Sequence, residues 1–175
     1  TQSRSSAASD VYKRQRHINP DHYLQTDTGR VFTKERQLTT WDRVYQDLEA
    51  ALRRRFSNAA QLCLVMGVQD AGKTDWVRQN MNALPNAVFL DAALPAARHR
   101  TRALDIARRC DVEVTAVWIN TPLEIALARN ASRPADERVP EEAMRSVFSL
   151  LEAPTVSEGF VRMVEILDNG VSKGR

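Results

Sequence analysis

The chain has 175 residues, 43% hydrophobic and 27% charged, enough for one domain with a sizeable core and balanced as soluble globular proteins are. That balance excludes a collagen-like or disulfide-scaffold protein, and no apolar run approaches the roughly 18 residues needed to cross a bilayer. The formal net charge of +3 is unevenly placed, with +4 on residues 1–60 and −1 on residues 61–175. The sequence pI of about 9.1 therefore belongs to the N-terminal third. A solvated surface is the commoner cause of such an excess, and attraction to nucleic acid is the alternative.

Residues 1–16 show no periodicity and read as a disordered or foreign tail, Ser-rich and without the apolar core of a secretory signal. Residues 17–60 read as an N-terminal extension. Its first part is polar, with a turn at Thr28-Gly29 and a short hairpin around Val31 and Phe32. Trp41, Val44, Tyr45, Leu48, Leu52 and Phe56 then fall on one helical face, behind Thr39 or Thr40 as N-cap. This stripe predicts a helix laid against the body.

The body, residues 61–170, alternates strands and helices, and residues 171–175 follow as a frayed tail. Gln61–Met66 reads as a strand, residues 73–81 as a helix, and Ala87–Leu90 as a strand closed by Asp91. Pro95–Arg109 reads as a helix with Leu104 and Ala107 inward, and Val112–Ile119 as a third strand. Thr121-Pro122-Leu123-Glu124 has the pattern of a helix start, with Thr as N-cap, Pro at N1 and Glu completing a capping box. That helix runs to about Asn130. Another starts at Pro140 and buries Met144, Val147, Phe148 and Leu151, and Met163–Leu167 is a last strand before an Asn169-Gly170 turn. The alternation predicts an α/β architecture, with a short, mostly parallel sheet covered on both faces. Cys63 and Cys110 lie in apolar stretches, as core residues of a reducing compartment such as the cytoplasm do, so neither a disulfide nor a cysteine metal site is expected.

Gly67-Val68-Gln69-Asp70-Ala71-Gly72-Lys73-Thr74 matches GxxxxGK[ST] between a strand and a helix, the context the motif requires, and with the alternation it predicts the three-layer fold of a P-loop NTPase. Its glycines let backbone N–H groups point at phosphate oxygens. Gly67, Gln69, Asp70, Ala71, Gly72, Lys73 and Thr74 are the candidate nucleotide-binding residues. Lys73 is expected to reach the β- and γ-phosphates, and Thr74 to ligate Mg²⁺ with Asp91. An anion inside a phosphate loop repels phosphate, so the Asp70 side chain is expected to turn to water. Asp91 ends a strand, where open α/β sheets place their sites. It can hold the Mg²⁺ water shell or accept a proton from an attacking hydroxyl, or merely cap a helix. Arg129-Asn130-Ala131-Ser132-Arg133, followed by Arg138 and Val139-Pro140, suits a lid whose guanidinium groups neutralise a triphosphate.

With these residues, Val88-Phe89-Leu90-Asp91-Ala92, His99-Arg100, the run Val117 to Glu124 and Pro154 to Phe160 make residues 61–167 resemble the P-loop kinases related to polynucleotide 5′-kinase, a group that includes AAA-type ATPases. The resemblance implies ATP- and Mg²⁺-dependent phosphorylation of a hydroxyl, with Arg133 as lid arginine, Arg129 as auxiliary phosphate ligand, and Lys73 and Asp91 at the reacting groups. Polynucleotide kinases usually carry an acceptor Asp and a nearby Arg between the loop helix and the next strand. Here only Asp75 to Ala87 intervene, without an acid in Asn80–Asn86. Either Asp91 takes over as base, or the acceptor is a small molecule or nucleotide sugar as for zeta-toxin-like enzymes, or the chain is an ATP-binding module without a dedicated acceptor. A polynucleotide would need a basic groove. The candidates to line one are Arg98, Arg100 and Arg102 together with the basic N-terminal region; Arg98 and Arg102 share a helical face, with Arg100 turned away, and the alternative is a solvated face balanced by Asp105.

Overall fold

A computed structural model describes residues 16–26, 29–30, 34–54 and 61–168. The expected tail up to residue 15, Val31 and Phe32, Phe56, the Asn169-Gly170 turn and residues 171–175 lie outside the described residues. In chain order the elements are β1 (His17–Ile18), α1 (Asp21–Leu24), β2 (Gln25–Thr26), β3 (Gly29–Arg30) and α2 (Lys34–Arg53), then β4 (Gln61–Met66), α3 (Lys73–Asn80), β5 (Ala87–Asp91) and α4 (Ala97–Arg109). They end with β6 (Glu113–Asn120), α5 (Leu123–Ala131), α6 (Glu141–Ser149) and β7 (Arg162–Leu167). β2 and β3 pair antiparallel through Gln25↔Arg30 and Thr26↔Gly29; Thr28 of the expected Thr28-Gly29 turn lies outside the described residues.

The main sheet has five strands in the order β1-β5-β4-β6-β7, and every pairing in it is parallel. Alternation along β4 sorts its side chains to two faces. Leu62, Leu64 and Met66 join Val88 and Leu90 under α2 and α4, while Cys63 and Val65 join Phe89, Val117 and Ile119 under α3, α5 and α6. Both faces are covered, as a parallel sheet requires, so the architecture is the three-layer fold of P-loop NTPases. The chain leaves β4 for β5 on one side and then crosses to β6 on the other. That reversal opens a crevice at the carboxyl ends of the strands, beside the end of β4. No described helix is long and apolar enough to cross a membrane.

Three local details differ from expectation. α2 begins at Lys34, not after Thr39 or Thr40, because the residues from Lys34 to Leu38 form helix readily and contain no breaker. α5 begins after Pro122 without a side-chain cap. Thr121, buried, instead donates its hydroxyl to the Ala71 carbonyl at 3.0 Å, so no capping box forms with Glu124. The extension supplies a strand as well as a helix, since β1 pairs with β5 through His17↔Phe89 and Ile18↔Leu90. Arg16, the last residue of the expected tail, is buried and donates to the carbonyls of Met81, Leu84 and Ala87.

Candidate active site

β4 ends in the loop Gly67–Thr74, which runs into α3. Gly67 has φ +150°, and a Cβ there would meet the Ile119 carbonyl oxygen at 2.5 Å. That oxygen belongs to a central strand, so only glycine lets the loop pass. Gly72, at φ +97°, is the N-cap of α3 and offers no side-chain acceptor to the helix. The N–H groups of the first turn of α3 are thereby left for an anion. Ala71 is buried and donates its N–H to the Val68 carbonyl at 3.3 Å. The Gln69 carboxamide oxygen is buried and has no hydrogen-bond partner among the described residues; as an acceptor it needs a donor, which a phosphate oxygen does not supply. Cradle and uncapped helix both fit a nucleotide phosphate chain.

The side chains expected at this loop converge on it. Lys73 donates from Nζ to the Val68 carbonyl at 2.8 Å. Burial pulls its ammonium below the ordinary lysine range, against the opposing charges of Asp91, Asp21 and Asp70. Thr74 donates its hydroxyl to Asp91 Oδ2 at 2.6 Å. A hydroxyl and a carboxylate in contact suit Mg²⁺, which takes few protein ligands and completes its shell with phosphates and water. Among the described residues no cluster of three or more His, Cys, Asp or Glu side chains forms a separate metal cage.

Asp91 is not a helix cap, because α4 starts only at Ala97. Its buried carboxylate accepts on Oδ2 from Thr74, from His17 Nε2 at 3.0 Å and from Asn19 Nδ2 at 3.0 Å. Burial would raise its pKa. The His17 hydrogen bond, the Lys73 charge and the Thr74 hydroxyl outweigh that and hold it below the usual carboxylate range.

The arginines reach the loop from α5 and the residues that follow it. Arg129 Nη1 lies 3.9 Å from where a Cβ of Gly72 would sit and pairs with Asp168 at 2.7 Å. Arg133 Nη2 forms an ion pair with Asp70. Asp70 was expected to face water; its side chain is only 4% exposed, because Arg133 neutralises it and the left-handed backbone at φ 59° aims it inward. Arg138 stays exposed and donates to the Arg133 carbonyl at 2.7 Å, so it buttresses the crossing without touching the loop. Asn130 stitches that crossing, donating to the Val139 carbonyl at 2.7 Å and accepting the Val139 N–H at 2.9 Å.

A family model described as an AAA domain matches residues 85–154. The matched stretch carries Asp91, Arg129 and Arg133 but starts after the phosphate loop, so motif and match are separate indications. Together they mark a P-loop nucleotide-binding domain. No curated protein matches the chain.

Sequence reasoning missed His17 and Asn19. The signal was present in His17-Ile18-Asn19, two polar residues flanking an apolar one at strand period. The other motifs carrying the resemblance are structural. Arg100, fully buried, grips Glu158 bidentately at 2.6 and 2.8 Å and donates to the Leu94 and Glu152 carbonyls.

Proposed function

We propose that this chain is an ATP-dependent phosphotransferase that moves the γ-phosphoryl group to a hydroxyl acceptor. The observation that carries the reading is the contact of Thr74 with Asp91 in a loop that also holds Lys73, with Arg129 beside Gly72 and Arg133 paired to Asp70. Gly67 to Thr74 would bind the phosphate chain, and Lys73 would supply the fixed cation for its β- and γ-oxygens. Thr74 and Asp91 would hold Mg²⁺, which neutralises phosphate charge when bound. With the one oxygen left open among the described residues, Asp91, an ionised carboxylate, would either stay with the Mg²⁺ water shell or orient the acceptor hydroxyl and take its proton. In both cases the acceptor O–P bond forms while the terminal P–O bond of ATP breaks and ADP leaves. A weakly basic carboxylate suffices, because the transferring group passes through a loose transition state in which positioning and charge matter most. Arg133 and Arg129 would stabilise the charge on the transferring group.

Two of the three arginines put forward for a polynucleotide groove are otherwise engaged, which favours a small acceptor. Arg100 is tied to Glu158. Arg102 pairs with Asp42 at 3.0 Å and lies 4.3 Å over the Tyr45 ring, where it fastens α4 to α2. Asp105, the expected counter-charge, pairs with Arg108 instead. The test is transfer of labelled γ-phosphate from ATP to a panel of nucleosides, sugars and 5′-OH oligonucleotides. A labelled small product supports the reading. A product formed only on oligonucleotides, with steep salt dependence, would restore the polynucleotide acceptor. ATP turnover with no phosphorylated acceptor would leave an ATPase module.

A further inference from the structure

The carboxylate of Asp91 is held by a part of the chain far from the phosphate loop in sequence. β1 adds two residues to the edge of β5, and its register brings His17 level with Phe89 and Ile18 level with Leu90. Asn19 then arrives beside Asp91. Alternation sends His17 and Asn19 to one side and Ile18, buried, into the core under α2 and α4. A slip of one residue would exchange the two sides. Both polar side chains donate to the same oxygen, Oδ2, that Thr74 also reaches. Among the described residues, Oδ1 accepts no hydrogen bond.

We infer that His17 and Asn19 are positioning residues for the reaction proposed above: they lock the Asp91 carboxylate by its Oδ2 and so present Oδ1 to the metal-bound water or the acceptor hydroxyl. The inference rests on that reading for its catalytic part only. Asn19 is itself held, since its Oδ1 accepts the Asp21 N–H at 2.9 Å. The His17 ring packs edge-on against His22 with centroids 5.6 Å apart. A carboxylate gripped this way needs no reorientation when the hydroxyl of Thr74 turns from it to the metal. Partners of a metal-facing carboxylate typically matter by about 10- to 100-fold in metal affinity or activity.

The test uses the full chain and three variants. His17→Ala removes one donor. His17→Gln keeps an amide N–H near the position of Nε2. Asn19→Ser keeps an acceptor for the Asp21 N–H and is too short to reach Asp91. Binding of a fluorescent ADP is titrated with Mg²⁺ and with EDTA, and ATP turnover is measured alongside. In His17→Ala and Asn19→Ser, metal-free ADP affinity should stay within about twofold, while the gain in affinity on adding Mg²⁺ shrinks about tenfold or more. The kcat for ATP should fall by a similar factor with KM little changed, and His17→Gln should recover most of both. A folded His17→Ala with an undiminished Mg²⁺ effect overturns the inference. So does a His17→Gln as impaired as His17→Ala, or a loss of metal-free binding equal to the loss with metal, since a merely structural role predicts both. If His17→Ala does not fold, Asn19→Ser decides by the same comparison. If the wild type binds Mg²⁺·ADP but transfers nothing, the proposed function fails and the binding comparison still decides the positioning role.

Discussion

Asp70 sits inside the phosphate loop with its carboxylate against Arg133, and this pairing makes a prediction of unusual sign: removing the acid should improve nucleotide binding. In Asp70→Asn the side chain keeps its shape, and asparagine tolerates the left-handed backbone at φ 59° as well as aspartate does. What changes is charge. A unit charge about 6–8 Å from a phosphate, at an effective dielectric near 20, is worth about 2–3 kcal/mol. Arg133 is 38% exposed, so solvent screening reduces this to about 1–2 kcal/mol, or about 5- to 30-fold in affinity. The gain arises because Arg133 no longer divides its guanidinium between Asp70 and phosphate. Loss of the pair should cost about 1 kcal/mol or less in stability, a drop of at most about 4 °C in Tm for a domain of this size. Calorimetric titration with ADP and ATP reads the affinity, and a thermal melt checks the fold. Asp70→Asn/Arg133→Ala should lose the gain, giving a coupling energy for the pair. A folded Asp70→Asn that binds nucleotide no better than wild type would show that Arg133 does not reach phosphate.

Lys73→Ala should lower ATP turnover by about a hundredfold or more with the fold retained, since among the described residues the one hydrogen bond of its ammonium is to the Val68 carbonyl; undiminished turnover sinks the phosphate-loop assignment. Arg100→Leu takes the guanidinium from the Glu158 carboxylate and from the carbonyls of Leu94, Pro95 and Glu152, which should cost about 3–5 kcal/mol, or about 6–20 °C in Tm. Glu158 is partly buried, which alone would raise its pKa, but its bonds to Arg100 and to the Thr155 N–H hold it below the ordinary glutamate value of 4.5. Its contribution is therefore complete above that value and lost as pH falls through the lower native one. Urea melts of wild type from pH 6 to 3 should show this loss and those of Arg100→Leu should show markedly less of it, the Thr155 N–H being the donor that stays; parallel curves would remove the pair from the acid response. Burial pushes the Cys63 thiol up to about 11, so a disulfide reagent at pH 8 should label half-buried Cys110 first and Cys63 only on unfolding, and the reverse order would contradict the packing of β4.

The parts legible in the sequence are those whose determinants are contiguous. The phosphate loop is a run of eight residues, and β4, β5 and β6 declare themselves as short apolar runs. Asp91 could be placed because it ends one of them. Residues whose behaviour depends on distant partners were not legible. Asp70 turns inward because Arg133, brought by the Asn130–Val139 stitch, waits for it. Thr121 has the local pattern of a cap, yet the loop carbonyl of Ala71 takes its hydroxyl. Arg102 has a charge of opposite sign three residues away in Asp105, but the docking of α2 offers it Asp42 and the Tyr45 ring. β1 is two residues long and pairs with a strand some seventy residues later, so only the alternation of His17-Ile18-Asn19 hinted at it.

That pairing bears on what can be removed from the chain. A two-residue parallel strand has too little ladder to stand alone, so β1 is held by what surrounds it. Arg16 ties it to the carbonyls following α3 and beginning β5. Ile18 is buried in the core, worth about 1.5–3 kcal/mol, and Tyr23 of α1 donates its hydroxyl to Asp47 of α2. α2 in turn covers Leu62, Leu64, Val88 and Leu90 with Val44, Leu48 and Leu52. A chain beginning at residue 61 would therefore expose the part of that sheet face that α2 covers, leaving α4 alone on it, and leave Asp91 with Thr74 alone of its three donors. Burying Val44, Leu48 and Leu52 is worth about 1.5–3 kcal/mol for each side chain, so with Ile18 the loss approaches the 5–15 kcal/mol that stabilises an ordinary domain. Expressed alone, residues 61–175 should aggregate or melt far below the full chain; co-expressed with residues 1–60, they should be recovered as a soluble complex that binds ADP. Soluble, folded 61–175 with full Mg²⁺-dependent ADP affinity would show that the sheet and its carboxylate do not need the extension.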